Sequence, residues 1–199
     1  RDRLITRFVD VLERPGSAGR LLAVVGPSGS GKSSAVRSGL LPLLRAGGVS
    51  GSDDWFITTM MPGRHPFDEL ESALSRVAVR QPGPLVEIMR GDERGIARAI
   101  GQTLPDADSE LLLVIDQFEE VFTHASQAER TRFLDGLLAA VHDPRTRLRV
   151  VLTIRADFLG GPLRHAQLAA RLETATVTVS PLAADELEAA IIEPVRRQG

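Results

Sequence analysis

The run Gly26-Pro27-Ser28-Gly29-Ser30-Gly31-Lys32-Ser33 follows directly on the apolar segment Leu21-Leu22-Ala23-Val24-Val25. It reads G-x-x-x-x-G-K-[ST], the phosphate-binding P-loop, whose backbone N–H groups converge on an anion. Such a loop works only where a strand delivers the chain and a helix N-terminus receives it, so it constrains the fold before any other segment is read. Gly26, Gly29 and Gly31 allow the tight turn and the close backbone approach, with Pro27, Ser28, Ser30 and Ser34 completing the nucleotide-binding stretch. Lys32 is expected to reach the β- and γ-phosphates, and Ser33 to place its hydroxyl on Mg²⁺. Lys32 is also the only lysine in 199 residues. A compact ammonium on a flexible stem follows phosphoryl oxygens as they move, whereas the planar fork of arginine favours a fixed bidentate geometry. Four fixed positions coincide by chance in about one chain in a hundred of this length, and the strand before the loop lowers that further.

The rest of the chain supplies the alternation that the loop requires. Residues 3–14 carry helical apolar spacing and stop at Pro15-Gly16. After strand 21–25 and the loop, a helix is expected from about Lys32, kinked or ended by Pro42. Residues 55–61 read as a second strand, closed by Pro62-Gly63. Residues 67–103 show helical spacing in pieces, interrupted at Pro82-Gly83-Pro84 and Gly91. Residues 111–115 form a third strand, and Ser126 to Glu129 is a capping box opening a helix to about Val141. Strands at 148–154 and 175–179 follow, then a last helix from about Ala184 with Pro194 near its end. Strands alternating with helices predict an α/β domain: a P-loop fold with a five-stranded, mostly parallel sheet sandwiched between helices, and a helical insert between the second and third strands.

Two further strand ends carry chemistry. Leu111-Leu112-Leu113-Val114-Ile115-Asp116-Gln117-Phe118-Glu119-Glu120 sets a carboxylate directly after a buried strand, where Asp116 can hold Mg²⁺ through water. Glu119 and Glu120 lie where one of them could polarise an attacking water; the competing reading makes them first-turn helix acids. Thr153-Ile154-Arg155-Ala156-Asp157-Phe158 ends the fourth strand. Ligands bind at the carboxyl ends of parallel strands, so Arg155 is placed to contact a γ-phosphate, or else to pair with Asp157 or the 116–120 acids. Trp55 reads as core. His65 and His124 lack ligand-like spacing.

Composition excludes several classes. A formal charge of −2 gives no general nucleic-acid surface, and Arg145, Arg147 and Arg149 read as a solvated approach to a strand. With no cysteine, thiolate metal sites and disulfides are excluded. The longest apolar runs fall far short of the ~20 residues that span a bilayer, and no signal-peptide pattern opens the chain, so a cytoplasmic location without membrane contact is expected. One domain, 1–199, is expected, with both ends reading as cuts from a larger protein.

GPSGSGKSS, LLLVIDQFEEVF and VLTIRADFLG, in this order and spacing, resemble the STAND class of signal-transduction ATPases, related to NACHT and NB-ARC ATPases. The match is to the bacterial branch known as novel STAND NTPases, over nearly the whole chain. The resemblance implies a sheet with one strand inserted between the P-loop strand and the acidic strand. It implies ATP or ADP and Mg²⁺ as ligands, slow hydrolysis, self-association when ATP is bound, and effector and repeat sensor domains in the full-length protein. In NACHT relatives acids stand at the same offsets as Glu119 and Glu120. Two other readings stay open on the residues alone: a module that holds nucleotide without hydrolysing it, and a P-loop kinase acting on a small molecule.

Overall fold

The computed structural model describes residues 2–79 and 83–180. Arg1, Pro82, Pro181-Leu182 and the last expected helix with Pro194 lie outside them.

Five apolar runs form one sheet: β1 (Leu21–Gly26), β2 (Phe56–Met60), β3 (Leu111–Ile115), β4 (Leu148–Arg155) and β5 (Thr176–Thr178). Their order is β2-β3-β4-β1-β5, and all four pairs are parallel. The acidic strand β3 therefore stands two places from β1, with β4 between them, as the resemblance implied. Side chains alternate across each strand, and the burial follows that period of two. Leu21, Ala23 and Val25 share one core with Leu111, Leu113 and Ile115. Leu22, Val24, Leu112 and Val114 belong to the core on the opposite face. Both faces are apolar because both are covered by helices, which is why these strands read as unbroken apolar runs.

The second face is covered by α1 (Asp2–Leu12), through Phe8, Val11 and Leu12, and by the helix that leaves the phosphate loop. That helix, α2, runs over residues 32–45 in three abutting stretches: Lys32–Ser34, Ala35–Leu40 and Leu41–Arg45. The break expected at Pro42 is absorbed instead. Ala35–Leu40 is π-helical, with the Leu41 N–H bonded to the Val36 carbonyl five residues back. A widened turn just ahead of a proline relieves the clash its ring makes with the preceding turn, so the helix continues to Arg45.

The first face carries the insert between β2 and β3: α3 (Pro66–Ser75), α4 (Leu85–Gly91) and α5 (Gly95–Thr103). A single turn, α6 (Glu120–Thr123), leads to α7 (Gln127–His142), and α8 (Ala166–Ala175) precedes β5. Phe67 of α3 meets Phe133 of α7 edge to face, ring centres 5.5 Å apart, which ties the insert to the body of the domain.

The capping box at the start of α7 is half formed. The Glu129 N–H donates to Ser126 Oγ at 3.3 Å, while the Glu129 carboxylate turns away to Arg90 at 2.7 Å. Ser126→Ala is expected to cost about 1 kcal/mol of stability, the usual worth of an N-cap, measurable by urea unfolding. A loss above about 2 kcal/mol would mean that Ser126 does more than cap.

The basic stretch is solvated as expected at Arg145 and Arg147 and departs from expectation at Arg149. Arg145, Arg147 and Arg149 pair with Asp143, Asp108 and Glu110 at 3.1, 3.0 and 2.5 Å. Arg149 is a structural clamp rather than a solvated charge. Its guanidinium lies 4.5 Å over the ring of Trp55 and donates to the carbonyls of Leu12 and Gly19. Trp55 is buried, as expected, at the edge of β2 rather than inside it. Among the described residues no helix is long and apolar enough to cross a membrane.

Candidate functional site

The carboxyl ends of β1, β3 and β4 meet at one edge of the sheet, and the sequence-selected residues gather there. The loop between β1 and α2 turns on Gly29 and Gly31, whose φ angles of 74° and 84° lie in the left-handed region that glycine tolerates. Gly26 is demanded by close approach instead: a Cβ there would lie 2.3 Å from the Val179 carbonyl oxygen and 2.8 Å from Ser30 Oγ. Pro27, Ser28 and Gly29 form the exposed tip, Ser30 is buried, and Ser34 is exposed on the far side of the turn.

Lys32 is 8% exposed and folds back into the loop. Its Nζ donates to the carbonyls of Gly26 at 2.9 Å and Pro27 at 2.7 Å. Burial pushes this ammonium below the ordinary lysine range, and the negative charge of Glu119 is the largest influence opposing that shift. The loop fits a phosphate group. It holds a partly desolvated ammonium, a helix N-terminus behind it, and Ser30 Oγ, a buried hydroxyl with no hydrogen-bond partner.

Asp116, 4% exposed, is where three elements converge. Its Oδ1 accepts from Ser33 Oγ at 2.7 Å, from Thr153 Oγ1 on β4 at 2.5 Å and from the Gln117 N–H at 3.2 Å. Its Oδ2 accepts from Arg37 Nη2 at 2.8 Å. Ser33 and Asp116 thus present adjacent hard oxygens, the donor type Mg²⁺ prefers. Among the described residues no cluster of three His, Cys, Asp or Glu could enclose a metal by itself.

Glu119 and Glu120, adjacent in sequence, face different strands. Glu119 is 6% exposed, and its Oε2 accepts the Arg155 N–H at 3.2 Å. Glu120 Oε2 accepts the Gly63 N–H at 3.1 Å, in the loop after β2. Gln117, with a φ of 53°, turns the chain sharply after Asp116, and the two acids diverge because they leave consecutive positions of the helical turn that follows, about 100° apart. A non-glycine residue in the left-handed region costs roughly 1–2 kcal/mol, which the two Gln117 N–H contacts, to Asp116 and to Thr153 Oγ1 at 3.0 Å, help to hold. Gln117→Gly relieves that strain but adds chain entropy to the unfolded state. The expected net is a stabilisation of about 0.5 kcal/mol, read as a small rise in melting temperature. A fall in melting temperature would show that the Gln117 side chain, bonded to Met61 Sδ at 3.3 Å, matters more than its backbone.

Arg155 pairs with Gly26 across the β1–β4 ladder, so the β4 strand end does bring it beside the loop. Its guanidinium, however, grips Asp157 in a fork, Nη2 to Oδ2 at 2.6 Å and Nε to Oδ1 at 3.2 Å, and holds that carboxyl below the ordinary aspartate range. It also lies 5.0 Å over the Phe158 ring. Of the two expectations for Arg155, the ion pair with Asp157 is the contact present. His65 and His124 are exposed and apart from the loop, His65 facing Glu129 at 3.6 Å.

Two site residues escaped the sequence reading. Thr153 reads in the sequence only as part of the β4 motif, where a hydroxyl near a strand end is its one signal. Arg37 lies one helical turn beyond Ser33, and that spacing was the only hint.

A parallel sheet in this order, a glycine loop on β1 and a buried aspartate at the end of β3 define a P-loop nucleoside-triphosphatase fold. The family model described as "Novel STAND NTPase 1" matches residues 1–199, and the chain belongs to that family. Two solved structures share the fold at low sequence identity. One is the Aeropyrum pernix ORC2 protein, described in ADPNP–ADP complexes: 15% identity, TM-score 0.60, covering 97% of this chain and 50% of that one. The other is a Walker-type ATPase of Pyrococcus abyssi: 15% identity, TM-score 0.50, covering 94% of this chain and 55% of that one. The chain thus spans about half the length of each. No curated protein matches it.

Proposed function

We propose that residues 1–199 form one ATPase module that binds ATP or ADP with Mg²⁺, hydrolyses ATP slowly, and uses the nucleotide state to control self-association within a larger signalling protein. The observation that carries this reading is the contact between Ser33 and Asp116 at 2.7 Å, which joins the phosphate loop to the acidic strand end across β4.

In this reading Lys32 exchanges its bonds to the Gly26 and Pro27 carbonyls for β- and γ-phosphate oxygens. The loop N–H groups and the start of α2 hold the remaining phosphate charge. Ser33 and Asp116 would hold the Mg²⁺, which would supply positive charge to offset the negative charge developing on the phosphate oxygens. Glu119 orients the attacking water. Of the carboxylates around Lys32 it pulls hardest on the ammonium, and the Arg155 N–H fixes its orientation. Glu120 is anchored toward β2 and has a supporting role. Arg155 reports the γ-phosphate by leaving Asp157, and an exposed ion pair of this kind is cheap to break. The effector and the sensor repeats are those that the family resemblance implies.

The test is to identify the nucleotide that co-purifies, then follow phosphate release from ATP with Mg²⁺ and no added acceptor while measuring mass in ATP and in ADP. Slow release, with a larger species in ATP, supports the switch. Tight nucleotide binding with no release supports a non-hydrolysing module. Turnover only with an added acceptor would make the protein a kinase.

A further inference from the structure

Arg37 is the cation paired with Asp116, and no motif requires it. It stands four residues after Ser33, so the two side chains leave neighbouring positions of α2 and take the two carboxylate oxygens separately. Ser33 bonds Oδ1 at 2.7 Å and Arg37 bonds Oδ2 at 2.8 Å. The other donors to this carboxylate, Thr153 Oγ1 and the Gln117 N–H, both go to Oδ1 and are neutral. Its directly bonded positive charge thus comes through Oδ2, from Arg37, with Lys32 a weaker charge that makes no hydrogen bond to it.

The two partners differ in exposure. The Asp116 side chain is 6% exposed and that of Arg37 is 54% exposed. A buried carboxylate without a counter-charge is costly, whereas a half-solvated guanidinium gives up an ion pair at little loss. Arg37 also belongs to the π-helical stretch Ala35–Leu40, a local departure from α geometry of a kind found often at functional sites.

We propose that Arg37 is the resident counter-cation of Asp116, neutralising the carboxylate whenever Mg²⁺ is not bound there and giving way to it when it is, so that Arg37 sets how strongly nucleotide binding depends on the metal. This rests on the reading of the loop as a phosphate site. Without a counter-charge, Asp116 repels phosphates arriving beside Ser33. With Arg37 in place the pair is near neutral, and nucleotide is retained even when metal is scarce. With Mg²⁺ present, one carboxylate faces two cations, and the exposed one yields.

The test titrates ADP calorimetrically into the 199-residue chain, once in EDTA and once in excess Mg²⁺, for wild type, Arg37→Gln, Arg37→Lys, Asp116→Asn and the Arg37→Gln/Asp116→Asn double variant. Arg37→Gln is expected to weaken metal-free binding roughly tenfold, the order of one uncompensated charge in a partly exposed site, and to leave Mg²⁺-supported binding within about twofold. Arg37→Lys keeps the wild-type ratio of the two affinities. In the Asp116→Asn background, adding Arg37→Gln no longer produces the metal-specific loss. An equal loss in both buffers would make Arg37 a direct phosphate ligand or a structural residue, and no loss in either would remove its role; both overturn the proposal. Should Arg37→Gln melt early, Asp116→Asn carries the test alone, with metal-free affinity at or above wild type expected and a weaker one overturning the proposal. Wild type binding no ADP in either buffer would refute the phosphate-loop reading itself, which is a separate outcome.

Discussion

Lys32→Ala is expected to lower affinity for ATP and ADP by about a hundredfold or more, to the edge of calorimetric detection. The magnitude follows from losing charge-assisted bonds to phosphate oxygens in a site that excludes much of the water. Lys32 is partly desolvated before any ligand arrives, with its ammonium bonded to two loop carbonyls. Phosphates therefore replace neutral acceptors with charged ones, and the electrostatic gain is undiluted by a large hydration loss. Alanine removes that gain and leaves the loop glycines and the start of α2 to hold the polyanion alone. Because Lys32 also ties the loop to itself, the thermal unfolding of the variant belongs beside its binding curve. An unchanged melt with lost binding isolates the phosphate role. Unchanged ATP affinity would sink the assignment of the loop.

The second large effect separates two neighbouring acids. Glu119→Gln is expected to lower ATP turnover about a hundredfold or more with nucleotide affinity nearly unchanged, the range typical of a lost general base or water-orienting carboxylate. Glutamine keeps an acceptor for the Arg155 N–H, so the turn after β3 is preserved while the charge is lost. Glu120→Gln is expected to change turnover only a few-fold, since its carboxylate is turned toward Gly63. The reverse ranking would move the water-orienting role to Glu120, and full activity in both variants would remove it from this pair. Measuring single-turnover phosphate release alongside binding keeps the two effects distinct.

The strands, and the helices of the insert, were legible because their signals are local. Unbroken apolar runs suit a sheet covered on both faces, and Gly91 stands at the end of α4, where the sequence marked a break. The phosphate loop, Asp116 and the strand end carrying Arg155 were equally plain, since each follows a buried strand. What the sequence hid was direction. Nothing at Gln117 announces a left-handed residue, as a glycine would have, so where the turn after β3 carries Glu119 and Glu120 could not be read. The partner chosen by Arg155 was ambiguous because Asp157 and Glu119 both lie within reach of that strand end. Arg37 was hidden for a related reason: helical spacing shows that it accompanies Ser33, but not which acid the sheet order brings to that face. Pro42 does not end the helix because a widened turn just ahead of it accommodates its ring. For Arg155 and Arg37 the missing information was long-range, set by which strand sits beside which.

The divergence of Glu119 and Glu120 has a practical consequence for anyone watching the protein in solution. Each carboxylate is tied to one backbone amide, Glu119 to that of Arg155 and Glu120 to that of Gly63. Those two amide protons sit on opposite sides of β3 and have no other side chain in common. Labelled with nitrogen-15, they become separate resonances, each shifting when its own carboxylate is drawn away. The protein therefore carries a pair of native spectroscopic reporters, and a titration with nucleotide can show which acid is recruited without altering a single residue.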